Sequence, residues 1–269
     1  MTAAALPPMT AVYIAGATGR VGGEVARLAA AAGLAQVDAP GDAAVWLLAL
    51  PRTVVEAELD RWTVERPGAV IDLSGAFKAR GVGAYALLAD PAHVWEGAPV
   101  GGHRLFANPG CIASAVIVGL TQSGLGAFVT GGLHVTAVTA GSAAGAATAG
   151  LLRAGHRWWD HPHVAEVERA LALPCASFVP LVDYGLARGI VVTVSGTARV
   201  EALALAVAGD EVDVAQVQGT AEVRWHRRVR AHPTLGATFT LVAALDNLTF
   251  PAANAVAVAT QWLAAEGRR

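Results

Sequence analysis

Cysteine is scarce in this sequence. Cys111 and Cys175 are the only two among 269 residues, which excludes a disulfide framework. Charge is scarce as well. Charged residues make up 15% of the chain and the formal net charge is −2, so nothing general points to nucleic acid as a partner. No run of about 20 strongly apolar residues occurs. The Ala/Gly-rich segment 137–152 is too weakly hydrophobic to span a bilayer, so no membrane partner is expected. The stretch MTAAALPPMT has no basic region followed by an apolar core, and a signal peptide is not expected. Internal repeats and low-complexity linkers are missing too. The expectation is a cytoplasmic protein with reduced thiols.

What is present is apolar and small. Hydrophobic residues reach 54%, much of it alanine, and there are 30 glycines. That suits a compact α/β protein. AVYIAG reads as a short buried strand ending at glycine, and ATGRVGGEVARLAAAAGL as turn and helix. AAVWLLAL and AVIDLS read as buried strands, with the amphipathic segment TVVEAELDRWTVERP between them. Strand and helix in alternation predict a Rossmann-type doubly wound parallel sheet. After residue 111 the texture changes. GLHVTAVTA, GIVVTVSGTA, EVRWHRRV and TFTLVAAL alternate as strands with one covered face do. HPHVAEVERAL and AANAVAVATQWLAAEG read as helices. The expected fold is therefore α/β: the parallel-sheet domain plus an α+β catalytic and dimerisation domain with a mixed sheet. The expected boundaries are 1–111 with 246–269 for the nucleotide domain, and 112–245 for the second.

Three features carry chemistry. Gly16-Ala17-Thr18-Gly19-Arg20-Val21-Gly22 follows a strand and opens a helix. Glycines there let backbone N–H groups approach a pyrophosphate at the helix N-terminus. A glycine-rich turn with no ligand is the alternative. Asp38 stands near the end of the second strand, where an acidic residue favours NAD(H), and is equally well explained as a turn residue. The second feature is Cys111, directly after Asn108-Pro109-Gly110 and directly before a helical run. A helix N-terminus carries partial positive charge and favours a thiolate. The alternative is a small buried side chain. Cys175, in LALPCASF, has no such setting. The third feature is His161-Pro162-His163 before a helix carrying Glu166 and Glu168. A histidine held by a carboxylate suits acid–base work, and an ordinary surface helix is the alternative.

Taken in order, these pieces resemble N-acetyl-γ-glutamyl-phosphate reductase, a family within the semialdehyde dehydrogenase superfamily. GATGRVGGEV resembles its first turn, VIDLSGAFK its Asp-Leu-Ser segment and ANPGC its nucleophile motif. TAGSAAGA resembles a Ser/Gly-rich loop, HPHVAEVERAL the helix with the catalytic histidine, and ARGI, LDNL and AANAV the closing motifs. The resemblance implies reduction of an acyl phosphate to a semialdehyde in arginine biosynthesis, with a thioester on sulfur. It implies Cys111 as nucleophile and His163 as acid/base, with Glu168 on its helix. Gly16, Thr18, Gly19, Arg20, Val21 and Gly22 would hold the cofactor, NADP(H) in this family, with NAD(H) kept open by Asp38. Ser74, Ser142, Gly145 and Asn247 would line the cofactor and substrate pocket. Asn108, Lys78 and Arg188 would bind substrate, and no metal is implied.

The departures bear on the substrate. Lys78 stands where the family has arginine, which keeps charge but loses the bidentate fork. Ala76 replaces an acidic residue, and Thr249-Phe250-Pro251 replaces the usual ending after Asp-Asn-Leu. Related enzymes act on aminoadipate or glutamate attached to an acidic carrier protein. The basic cluster 224–230 is a candidate surface for such a carrier, or else a solvated strand face. A small acyl-phosphate substrate and a homo-oligomer are the default expectations. Two alternatives stay open: an aspartate-semialdehyde dehydrogenase-like enzyme, and a non-catalytic NAD(P)-binding regulator.

Overall fold

In the computed structural model, which describes residues 11–64, 68–88, 104–143, 152–154, 160–208 and 211–267, strand and helix alternate among the described residues up to Ala107. The elements are β1 (Ala11–Ala15), α1 (Arg20–Ala31), β2 (Ala35–Gln36), β3 (Val45–Leu48), α2 (Arg52–Ala57), α3 (Leu59–Val64), β4 (Ala69–Asp72), α4 (Ala76–Arg80), β5 (Ala84–Tyr85) and β6 (Leu105–Ala107). The strands form one six-stranded sheet in the order β2-β1-β3-β4-β6-β5. All its pairings are parallel. β3 and β4 are buried at every residue. Their side chains alternate between two cores, as strand geometry requires. Val45 and Leu47 join Val25, Val256 and Trp262 on one face. Trp46 and Leu48 join Val55, Trp62 and Phe77 on the other. The doubly wound reading of the sequence is thus correct.

The chain divides into two units, Met1–Pro109 with Pro251–Arg269, and Gly110–Phe250. The second unit contains α5 (Cys111–Gln122), β7 (Leu133–Ala140), β8 (Leu152–Ala154), α6 (Pro162–Leu171), β9 (Cys175–Asp183), β10 (Ile190–Ala198), β11 (Val207–Ala208), β12 (Val223–His232) and β13 (Gly236–Leu245). The last helix, α7 (Thr249–Glu266), begins in it and runs into the first unit. The seven-stranded sheet has the order β11-β12-β13-β10-β7-β9-β8. It is mixed: β7 and β9 are parallel, and the other pairs are antiparallel. In β7, Leu133, Val135 and Ala137 are buried while His134 and Thr136 are exposed, the alternation of a sheet with one covered face. α5 supplies that cover. Ile112 through Leu120 are all buried, so this helix is apolar all round and central. Gly119 lets it close on the sheet, since a Cβ there would stand 3.0 Å from Leu241. β9 is absent from the sequence expectation because Pro180 interrupts its strand pattern, and proline rarely sits inside a sheet. Among the described residues, no helix is long and apolar enough to cross a membrane.

Candidate active site

Cys111 is the first residue of α5, and Gly110 is its N-cap. Gly110 accepts hydrogen bonds from Ser114 through its carbonyl, from N–H at 2.8 Å and from Oγ at 2.9 Å. No side chain caps this helix start. The thiol therefore sits at the positive end of a twelve-residue helix, half-buried. Cys175 lies in the opposite field. Burial, and then the Glu168 carboxylate, push its thiol up to about 11. Neither cysteine forms a disulfide.

α6 brings the imidazole to the thiol-bearing turn. Pro162 opens the helix and His161 caps it, its ring accepting from the His163 N–H at 3.3 Å. The His161 ring stacks on Phe178 of β9 at 4.9 Å and meets His163 edge-on at 4.7 Å. One turn further, Glu166 turns the same way as His163, because residues three apart share a helix face. Glu166 Oε1 lies 3.9 Å from His163 Nε2. Glu166 Oε2 accepts the Gly110 N–H at 2.8 Å. A Cβ on Gly110 would fall on the His163 ring. The expected pairing of His163 with Glu168 is corrected here. Glu168 accepts the Cys175 N–H at 2.9 Å, because a spacing of five residues turns it toward β9 instead.

The glycine turn after β1 has the shape a pyrophosphate needs. Gly16 adopts φ +86°, and a Cβ there would stand 2.6 Å from Ala49 O. A Cβ on Gly22 would collide with the Gly16 carbonyl. Gly19 donates to Gly16 O at 2.9 Å and caps α1 without a side chain, and the first turn of α1 carries no acidic residue. Thr18, Gly19 and Arg20 are exposed, Val21 is half-buried, and Asp38 is exposed after β2. The strand order reverses at β1, with β2 on one side and β3 on the other. Ligands bind beyond the carboxyl ends of strands at such a reversal. The residues present fit a dinucleotide.

Other expected site residues are engaged inside the protein. Asn108 is 2% exposed. It donates to Pro251 O at 3.1 Å and accepts from Asn254 at 2.8 Å. Asn254 also donates to Ala86 O and accepts from Leu88 N–H. The Asn108 amide pins the end of β6. Ser74 donates to Asp72 at 2.5 Å, and Asp72 accepts the Phe77 N–H, which starts α4. Lys78, the only lysine in the chain, lies on that helix. Asn247 joins Ser142 Oγ at 2.9 Å to the Gly189 N–H at 2.6 Å. Arg188 is 29% exposed, and its Nε lies 2.6 Å from the buried Asp246 carboxylate. It also donates to Asp246 and Thr249, so much of its charge is balanced internally. Gly145 and His156 lie outside the described residues. In β12, Arg224, Arg228 and Arg230 share one exposed face, while Arg227 points the other way and donates to Leu205 O and Ser123 O. Sequence reasoning gave no role to Asp246 or Asn254, and it named Glu168 rather than Glu166 as the partner of His163. Helical periodicity from His163 was the available signal for Glu166. Asp246 and Asn254 carried none beyond their place in the closing motifs.

No protein-family model matches the chain, and no curated protein does either. Solved structures do resemble it. A probable aspartate-semialdehyde dehydrogenase from Pseudomonas aeruginosa superposes with a TM-score of 0.70 at 18% identity, covering 93% of this chain and 97% of that one. Aspartate semialdehyde dehydrogenase II from Vibrio cholerae gives 0.69 at 14% identity, covering 94% and 98%. The same enzyme complexed with ASA gives 0.68 at 14% identity, covering 94% and 97%. At these identities the likeness is one of fold.

Proposed function

We propose that this protein is an oxidoreductase that converts an acyl phosphate to a semialdehyde through a thioester on Cys111. The observation that carries the reading is the packing of His163 and Glu166 against the turn that bears the thiol. The fold likeness to semialdehyde dehydrogenases supports it. Cys111 attacks the acyl carbon as thiolate, the bond to the phosphate oxygen breaks, and phosphate leaves. NADP(H), when bound, supplies the hydride equivalent, held by Gly16, Thr18, Gly19, Arg20, Val21 and Gly22. Cys111 then leaves the reduced carbon as thiolate and the aldehyde forms. His163 accepts the thiol proton at the start and holds a proton for the oxygen of the thiohemiacetal. The Gly110 N–H is engaged by Glu166; oxyanion stabilisation is assigned to the start of α5, where the helix carries its partial positive charge.

The substrate we favour is an N-acyl-γ-glutamyl phosphate, on the Asn-Pro-Gly-Cys and Arg-Gly-Ile forms, which places the enzyme in arginine biosynthesis. Aspartyl phosphate is the second reading, favoured by the fold neighbours. NADP(H) is the proposed cofactor and a homo-oligomer the proposed assembly. The test is the reverse assay: phosphate, NADP⁺ or NAD⁺, and a panel containing N-acetylglutamate and aspartate semialdehydes. Reduced cofactor should appear with one semialdehyde and vanish in Cys111→Ala. Cofactor binding without turnover on any semialdehyde rejects the reductase and favours a regulator.

A further inference from the structure

We infer that Asn254 of α7 is a positioning residue for the nucleophile: acting through Asn108, its side-chain amide fixes where the chain leaves β6 and so where Cys111 stands. The inference rests on the role proposed above for Cys111. Asn254 is 6% exposed, and a buried amide is costly unless its groups are paired. Three partners take it up. Its Oδ1 accepts the Leu88 N–H at 2.8 Å. Its Nδ2 donates to Ala86 O at 2.7 Å and to Asn108 Oδ1 at 2.8 Å. Asn108 continues the relay, donating from Nδ2 to Pro251 O at 3.1 Å. The ends of this relay are backbone groups that only donate or only accept: the Leu88 N–H, and the Ala86 and Pro251 carbonyls. Each amide therefore has one orientation. Asparagine is the side chain of this length that offers one acceptor and two donors in a plane. An aspartate would turn a carboxylate toward two carbonyl oxygens, and an alanine would leave all three partners open. The place of the relay gives it its consequence. Asn108 is 2% exposed, and its own N–H donates to Asp72 O at 2.9 Å, so its backbone and its side chain are both held. Pro109 follows, with φ fixed by its ring. Cys111 stands three residues after Asn108, at the start of α5. Few soft torsions separate the clamp from the thiol. Ala86, Leu88, Asn108, Pro251 and Asn254 all belong to the first unit. A fully paired buried network of this kind rigidifies the groups it joins.

The test uses the full chain, first without substrate. Timed iodoacetamide labelling, read by mass spectrometry, gives separate rates for Cys111 and for Cys175, which lies on β9 of the second unit and serves as the internal control. In Asn254→Ala the Cys111 rate should fall about fivefold, the effect of a helix N-terminus on a charge, as the thiol leaves the place that favours its thiolate. The Cys175 rate should stay parental. Asn108→Ala should give the same fall. Combining the two should add nothing, because residues that act through one contact are not additive. The second readout is turnover in the reverse assay. We expect kcat to fall by about 10²-fold in Asn254→Ala, the scale of an ångström's misplacement, with KM little changed. A parental or faster Cys111 rate in Asn254→Ala overturns the inference. Matched changes at Cys111 and Cys175 overturn it too, since they mark a general loosening, and so do effects of the two substitutions that multiply. If Asn254→Ala does not fold, Asn254→Ser, whose shorter hydroxyl cannot reach all three partners, enters the same comparison. If no semialdehyde is turned over by the parent, the reductase reading fails, and the substrate-free labelling still decides whether Asn254 governs Cys111.

Discussion

Replacing Gly110 by alanine adds one methyl group where the protein has no room. The backbone tolerates it, since φ −75° and ψ 145° are ordinary for alanine. The methyl would overlap the His163 ring and stand 2.9 Å from Glu166 Oε1, where 3.4–4 Å is ordinary contact. Both obstacles are ends of side chains, so they can retreat. The imidazole must withdraw by about 1 Å or more, and a displacement of that size at a reacting group costs about 10²-fold in rate. Stability should change little. Gly→Ala at a permitted backbone contributes about 0.4–1 kcal/mol through the unfolded chain, which offsets part of the strain. The expected outcome is a melting temperature within about 4 °C of the parent, normal cofactor binding, and kcat reduced by about 10²-fold in the reverse assay. Parental turnover in a folded Gly110→Ala protein would show that the imidazole need not sit against this turn.

Brief iodoacetamide treatment at neutral pH should label Cys111 before Cys175, as read by mass spectrometry. Equal labelling would contradict the contrast between a helix start and a buried thiol beside Glu168. Cys175 also makes a pH prediction. Its folded pKa is raised, from 9.0 to about 11, so its contribution to stability is complete below pH 9 and is lost as pH rises toward 11. The urea midpoint should therefore fall between pH 9 and 11, and fall less in Cys175→Ala. Asn108→Ala should lower stability by about 1–3 kcal/mol, because it takes one of the two acceptors from the buried Asn254 amide NH₂. Its KM should hold; a large KM increase with unchanged stability would assign Asn108 to substrate binding.

The parallel sheet was legible because its strands announce themselves. Val45–Leu48 and Ala69–Asp72 are short runs of buried residues stopped by turn residues, and burial on both faces leaves Asp72 as their one polar position. The mixed sheet was legible where one face is covered, as in β7 and β10. β9 was not, because Pro180 breaks the strand signature while its neighbours still pair. Helix starts were legible from Pro109-Gly110 and from His161-Pro162, where proline can only open a helix.

Contacts between distant segments were a different matter. Asn108 looks like a ligand-binding polar residue from its motif, yet Asn254, 146 positions away, takes up its amide. Gly110 looks like a turn glycine, yet the structure needs it for space and not for its backbone angles. Glu166 and Glu168 are both plausible partners for His163 when read along the chain. The local pattern alone determined the strand–turn–helix alternation and the placement of a thiol at a helix start, because these follow from periodicity and turn chemistry within a few residues. The choice of carboxylate and the closure of the imidazole onto Gly110 were decided only by tertiary packing. They depend on how α6 is rotated between α5 and β9, and that rotation is set by contacts among segments far apart in the chain.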